Sequence, residues 1–594
     1  MTTSNVRLRH AAAGARTGMV AASDPLAIEA GERALAEGRN AIEAAVVAAA
    51  VLGVVEPHAS GIGGGGHMVV HIASTGQEFV IDSNVTAPHA ATPDMFIDPD
   101  TGEPYPAREI HSGGIAVGVP GTVRHWDEAL RLSQSLLGGT MSLSEALKPA
   151  ITLANDGFAV SAAFLTVRDR NRRRLKFFPD TRYAFFPTPP LLAGSILRQL
   201  DLAATLQTIA DEGADAFYNG PIADAICDVV RAPRTEDPAY PIHPGRMKPR
   251  DLAAYKIKKR APVSGTYRGY RVVSSPPPSG GIMMIEMLQI LEGFPLGSDT
   301  FGFLEPNTAH VMIEAMKLSY ADRNRWIADP DFVHVPVAGL TSRDYAAARR
   351  ELIDLDDSLS EGEGLAGDPT SFDAASPGRD ESRQRALEEP LHMEPSLHQG
   401  SSTTHLSVID SAGNIVSYTT TLSELWGSGM VVPGFGFLLN NSLRNFSTSK
   451  KGINSPKPGK RPRSFVSPSL VFSPQGEPRM VVGSAGGGAI PAILLGVVTG
   501  VLDHARTIQD AIAAPRFENE NSPHHGTRYE SVAPGFDLPE SLVQALSDRG
   551  QSMSPYATSQ DGDPVTFGVS QGIAIDAATD APSRGTDPRG DGDF

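Results

Sequence analysis

Thr403-Thr-His-Leu-Ser-Val-Ile-Asp410, then Ser411-Ala-Gly-Asn414, then Ile415-Val-Ser-Tyr-Thr-Thr-Thr421 is the stretch on which the fold turns. Both flanks are rich in β-branched residues, and the four residues between them are turn formers, so the text reads as a β-hairpin. A four-residue turn closing between Asp410 and Ile415 puts Thr403 opposite Leu422 and beside Thr421. Two threonine hydroxyls then meet at one place.

Upstream of the hairpin, residues 354–402 (LDDSLSEGEGLAGDPTSFDAASPGRDESRQRALEEP and on) are polar, acidic and rich in turn formers. Such text has little to bury and reads as a mobile surface segment. Before it, helix-like and strand-like runs alternate. Leu26–Val55 is Ala-rich helical text with one break, where Asn40 and Glu43 fit a capping box restarting a helix at Ala41. Pro306–Arg323 reads as an amphipathic helix. Downstream, Ser469–Phe472 and Met480–Gly483 are strand-like. The mixture predicts α and β elements in one large α/β body.

Composition narrows the chemistry. The 594 residues carry 51 Lys and Arg against 68 Asp and Glu, a formal charge of −17, which is not the basic footprint of a nucleic-acid binder or a polybasic membrane anchor. A single cysteine, Cys227, excludes a disulfide framework, a CxxC redox pair and a thiolate zinc cage. Its setting reads as a helix face, so a small buried hydrophobe is expected. The first residues show no apolar run of signal-peptide length, and no stretch of about 20 apolar residues follows. The expected address is cytoplasmic.

No HExxH occurs, and the 16 His residues show no ligand spacing, so no metal or cofactor is implied. Gly63–Gly66 is not followed by Lys-Ser/Thr, and close backbone packing is its expected role. Pro276-Pro-Pro278 before Ser279-Gly-Gly281 reads as a rigid turn. Gly483-Ser-Ala-Gly-Gly-Gly488 closes an apolar run. Consecutive glycines there can point backbone N–H groups into a cavity, as an oxyanion hole requires.

Together these segments resemble the γ-glutamyltranspeptidase family of N-terminal-nucleophile hydrolases. The resemblance rests on PHASGIGGGGHMVV, GVPGTV, ANDGFAVS, PPPSGGIMMIEMLQILE, EAMKLSYADR, TTHLSVID, GFLLNNSLRNFS, KRPRSFVSPSLVF, GSAGGG, APRFENE and DPRGDG, in that order over nearly the whole chain. It implies a four-layer αββα sandwich and a precursor that cuts itself before Thr403. Residues 1–402 would form a large subunit and 403–594 a small one, interlocked as a heterodimer. The freed α-amino group of Thr403, with a reference pKa of about 7.7–8.0, would serve as the base for its own hydroxyl. By the same resemblance, Thr421 orients that hydroxyl, Gly486 and Gly487 form the oxyanion hole, and Ser464 is the first of two supporting serines.

The recognition half departs from the family. Asn84 stands where an Arg holds the substrate α-carboxylate, and Asn445 where an Asp meets its α-amino group. Ser423 replaces an Asn, and Phe465 replaces the second serine. Loss of one member of a buried charge pair costs about 2–5 kcal/mol, so a zwitterionic glutamyl head is expected to bind poorly. The leading expectation is a self-processing Thr hydrolase for a non-glutamyl small molecule. It resembles the carbon–carbon hydrolases of alkylproline antibiotic biosynthesis, which act on an unsaturated 2-oxo acid. The alternatives are a cephalosporin-acylase-like amide hydrolase or a divergent γ-glutamyltranspeptidase. A non-catalytic scaffold is disfavoured by Thr403, Thr421 and the glycines.

Overall fold

The computed structural model describes residues 18–236, 241–373, 402–531, 535–556 and 567–590. Twelve of its strands build two six-stranded antiparallel sheets. In chain order they are β1 (Met19–Ala22), β2 (Gly65–Ile72), β3 (Gln77–Asp82), β4 (Lys258–Arg260), β5 (Val263–Tyr267), β6 (Tyr270–Ser274), β7 (Thr404–Ile409), β8 (Ile415–Thr421), β9 (Ser469–Phe472), β10 (Pro478–Ser484), β11 (Ser570–Ile575) and β12 (Pro582–Thr586). One sheet runs β1–β7–β8–β2–β3–β4, the other β12–β11–β10–β9–β6–β5.

Three hydrophobic layers follow from strand alternation. Between the sheets lie Val69, Val80, Val273, Ile409, Leu470, Phe472, Val481 and Ile573. Outside the first sheet, α1 (Pro25–Ala36) and α2 (Ala41–Val55) cover Leu406, Val408, Val416 and Tyr418. Outside the second, α3 (Gly281–Leu291), α4 (Pro306–Trp326) and α5 (Ile490–Leu502) cover Val471, Met480 and Val482. The result is the αββα sandwich. The break before α2 is the capping box: Asn40 accepts from the N–H groups of Ile42 and Glu43, and Glu43 reaches back to the Asn40 N–H. Such a cap contributes about 1 kcal/mol.

The hairpin differs from the sequence reading by one residue. Its ladder pairs Ile409 with Ile415 and Thr404 with Thr420, so Thr403 falls opposite Thr421, not Leu422. The cause is Asp410. Its carboxylate accepts from the N–H groups of Ala412 and Asn414, and also from Ala41 N–H at the start of α2, 3.0 Å away. Asp410 is thereby drawn out of the strand into a five-residue loop, with Gly413 at φ 85°.

Two further expectations are corrected. Helix α4 is not amphipathic: Thr308 to Arg323 is buried throughout, with Glu314, Lys317 and Asp322 inside. Its polar side chains find buried partners, Lys317 bonding Glu314 Oε1 (3.0 Å) and Leu359 O (2.8 Å). Those same bonds pin the start of the segment expected to be mobile. Leu359 N–H donates to Glu314, Gly367 N–H to Asp322, and Trp326 Nε1 to Gly367 O, so residues 354–373 are packed on the body. Residues 374–401 of that segment lie outside the described residues. No helix among the described residues is long and apolar enough to cross a membrane.

Cys227 is buried on a helix, and burial pushes its thiol up to about 12. Burial also holds His58, His125 and His405 down to about 4, 3 and 3. In the unfolded chain these histidines titrate near 6.5, so below that pH the unfolded state takes up protons the folded state refuses. Stability is therefore complete above pH 6.5 and lost as pH falls, by roughly 1 kcal/mol per histidine between pH 6.5 and 5.5. Urea titrations at these two pH values should show the midpoint dropping at the lower one. A midpoint that holds or rises would contradict the buried neutral histidines.

Candidate active site

The site forms where the hairpin ends meet the end of β10. On β7 and β8, alternate side chains face the opposite sheet: Ser417 Oγ donates to Val482 O, and the His405 ring lies against Gly483. Thr403 continues that inward series. Its Oγ1 lies 2.8 Å from Thr421 Oγ1. Thr421 Oγ1 also accepts the Ser423 N–H at 2.8 Å, and Ser423 Oγ accepts from Asn445 Nδ2 at 3.2 Å. These contacts form a short polar chain, Asn445–Ser423–Thr421–Thr403, that fixes the orientation of the Thr403 hydroxyl.

Glycines let β2 approach this strand. A Cβ at Gly64 would lie 2.2 Å from Thr421 O, and one at Gly66 would lie 2.3 Å from Thr419 O. Any side chain there would push β8 away. The run Gly63–Gly66 thus serves the packing role expected of it.

The glycine side of the site is built from β10's exit. Gly486 has φ 136° and Gly487 has φ 57°, conformations open to glycine and strained for other residues. Gly487–Ala489 form a short turn that runs into α5. The Gly486 N–H donates to the main-chain carbonyl of Ser402 at 3.2 Å. That carbonyl belongs to the Ser402–Thr403 bond. The carbonyl before Thr403 and a glycine N–H are therefore paired in the intact chain. Thr403 itself has φ 97°, costly for a β-branched residue, so the backbone at the Ser402–Thr403 bond is held under strain.

The recognition positions are placed unevenly. Asn84 is buried and turned to the backbone, its Nδ2 donating to Pro462 O (3.1 Å) and its Oδ1 accepting from Val85 N–H (3.0 Å). It carries no charge in place of a guanidinium. Ser464 N–H donates to Pro278 O at 2.8 Å, which ties the Pro276–Pro278 turn to the site. Phe465 is half-buried beside Tyr320 and Arg323 of α4. The Arg444 and Glu424 side chains pair with each other beneath the Ser442–Asn445 turn.

Three contributors escaped the sequence reading. Tyr320 donates its hydroxyl to Gly488 O and so holds the glycine loop from below. Ser23 Oγ and Thr404 Oγ1 both donate to Glu56 Oε2 at 2.7 Å, anchoring the residue after Thr403 to α2's C-terminal end. The Ser402 carbonyl on Gly486 is the third. Tyr320 and Arg323 lie one turn apart in the quoted EAMKLSYADR, but their partners come from distant segments. Among the described residues no three His, Cys, Asp or Glu side chains gather as a metal site needs.

Known proteins of similar sequence and structure identify the family. The sequence profile of the family described as Gamma-glutamyltranspeptidase matches residues 27–594. A glutathione hydrolase proenzyme from Bacillus subtilis (strain 168) is 36% identical over 563 residues, covering 94% of this chain and 88% of its own. An acylase proenzyme from Pseudomonas sp. (strain SE83) is 35% identical over 548 residues, covering 91% and 88%. The crystal structure of a cephalosporin acylase from Bacillus halodurans superposes with a TM-score of 0.79 at 28% identity, covering 100% of this chain and 98% of that one.

Proposed function

The chain belongs to the γ-glutamyltranspeptidase family and is a self-processing N-terminal-nucleophile hydrolase, and from that premise we propose that it cuts itself at Ser402–Thr403 and then hydrolyses the amide of an uncharged, non-glutamyl acyl group. The observation that carries this reading is the pairing of Thr403 Oγ1 with Thr421 while the Ser402 carbonyl rests on the Gly486 N–H.

In processing, Thr403 Oγ1 attacks the Ser402 carbonyl carbon, and the developing oxyanion is held by Gly486. The amide C–N bond breaks as the nitrogen takes a proton, leaving an ester that water hydrolyses. The products are a chain ending at Ser402 and a new N-terminus at Thr403. In turnover, the Thr403 α-amino group takes the hydroxyl proton, Oγ1 attacks the substrate carbonyl, and Gly486 and Gly487 receive the oxyanion. The leaving amine departs with a proton, and water releases the acid.

The acyl side is read from the neutral pair Asn445–Ser423 and from Asn84, whose polar atoms are bound to backbone. Neither can replace a lost charge partner. Relatives named as glutathione hydrolase and acylase support amide over carbon–carbon cleavage. Cleaving a ketone would additionally demand an electron sink in the substrate, which amide hydrolysis does not need.

The test is a panel on the processed protein: a γ-glutamyl anilide, a glutaryl anilide, an uncharged acyl anilide and an unsaturated 2-oxo acid. The uncharged amide is expected to turn over with kcat/KM about 10²-fold or more above the γ-glutamyl compound, the scale of one lost buried charge partner. A γ-glutamyl compound that leads the panel, or a 2-oxo acid that is the sole substrate, would overturn the reading.

A further inference from the structure

Ser423 is held in a conformation that its backbone does not favour. Its φ of 85° lies in the left-handed region, where a residue with a Cβ persists only when its surroundings over-determine it. From that conformation its N–H reaches Thr421 Oγ1 at 2.8 Å, and its hydroxyl accepts from Asn445 Nδ2 at 3.2 Å. The orientation of the Thr403 hydroxyl therefore depends on what fixes Ser423.

The exit of β8 and the segment that ends in the Ser442–Asn445 turn fix it together. Asn441 Oδ1 accepts the Glu424 N–H at 3.0 Å, and the Asn441 N–H donates to Leu422 O at 3.0 Å. Glu424 follows Ser423 and Arg444 precedes Asn445, and their side chains form an ion pair with 6% and 9% of each exposed. The ion pair and the Ser423–Asn445 hydrogen bond thus bridge the same two segments in parallel, one residue apart on each. Of two such bridges out of water, the charge-assisted one is the stronger. Beyond Glu424 the chain is anchored separately. There the Trp426 N–H donates to His58 O at 2.7 Å, and Arg174 Nη1 to Gly427 O at 2.9 Å. Losing the ion pair should therefore loosen Ser423 and the turn while the neighbouring chain stays where it is.

We propose that Glu424 and Arg444 are positioning residues for the reaction at Thr403. Their pairing keeps the turn against Ser423 and holds Ser423 in its left-handed conformation. The Ser423 N–H then fixes the Thr421 hydroxyl against Thr403 Oγ1. Without the pair, Ser423 relaxes towards negative φ, its N–H turns away from Thr421, and the attacking hydroxyl is free to rotate. This rests on the Thr403 hydrolase reading above and adds to it two charged residues that act through Ser423.

Removing one charge alone would strand the other in a buried place, so the test removes both. Processing half-time is read by intact mass. On the processed fraction, kcat and KM are read with the amide of the panel that the parent cleaves best. Glu424→Gln/Arg444→Met is expected to slow processing and lower kcat by about ten- to hundredfold, with KM held within about threefold, as for a reacting group misplaced by up to about 1 Å. Arg444→Lys keeps the charge pair and should hold both rates within about threefold of the parent. A double variant whose processing and kcat match the parent's overturns the proposal. So does a KM that rises at unchanged kcat, and so does a smaller folded yield with parental kcat, the mark of a purely structural pair. If the double variant does not fold, Glu424→Asp, which shortens the reach and keeps the charge, decides by the same readings. The parent alone tests the hydrolase reading, and only the ratio of variant to parent tests the pair. A parent that stays whole removes both. One that processes and cleaves no amide removes the amide reading and leaves the pair to be decided by processing rates.

Discussion

Thr403→Ala is expected to give one chain of 62.8 kDa, where the parent yields fragments of 402 residues and the remaining 192 of 594. Three features meet at one bond. The hydroxyl is oriented by Thr421 at 2.8 Å, the carbonyl is held by Gly486 at 3.2 Å, and Thr403 is strained at φ 97°. Removing Oγ1 deletes the attacking atom and leaves the other two features in place, so the variant should fold and remain whole. Intact mass under denaturing conditions reads the outcome directly. A cut at the same bond in Thr403→Ala would assign the chemistry to another group. A parent that stays whole on long incubation would remove the self-processing scheme for this bond.

Gly486→Ala carries the second large expected effect. A Cβ there would meet Ile493 Cδ1 at 3.1 Å and Gly568 Cα at 3.2 Å, and the backbone angle of 136° is one that alanine rarely adopts. The loop must shift, and the N–H leaves the line of the Ser402 carbonyl. Loss of one oxyanion donor typically lowers kcat by about 10²–10³. Processing half-time, followed by mass, and kcat on the processed fraction should fall together, because one donor serves both reactions. A variant that processes normally yet turns over slowly would show that the two reactions use different donors.

Much of this was legible along the chain because it depends on local pattern. The hairpin follows from two β-rich runs around turn residues, the helix break from Asn40 and Glu43, and the glycine run from its lack of a phosphate-loop context. The register was not legible, since Asp410's destination is the N-terminus of α2, 369 positions away in sequence. Helix α4 was misread because charged residues normally mark a solvent face. Here Glu314, Lys317 and Asp322 face partners in residues 358–367, text too polar to suggest burial. Replacement of Arg and Asp by Asn84 and Asn445 could be read by motif alone. That Asn84 turns to Pro462, and that Phe465 rests on Arg323, required the folded chain.

The hairpin β7–β8 lies between β1 and β2, with β7 bonded to β1 and β8 to β2. A cut at Ser402 would therefore leave one continuous sheet woven from two chains. Before the cut, the strands find one another as parts of a single molecule, at a fixed and high local concentration. After it, a denatured sample would have to reassemble the sheet by collision between separate polypeptides, so recovery would depend on dilution. The covalent tether would then be needed only during assembly, and its removal would leave a fold protected chiefly by the slowness of its unfolding.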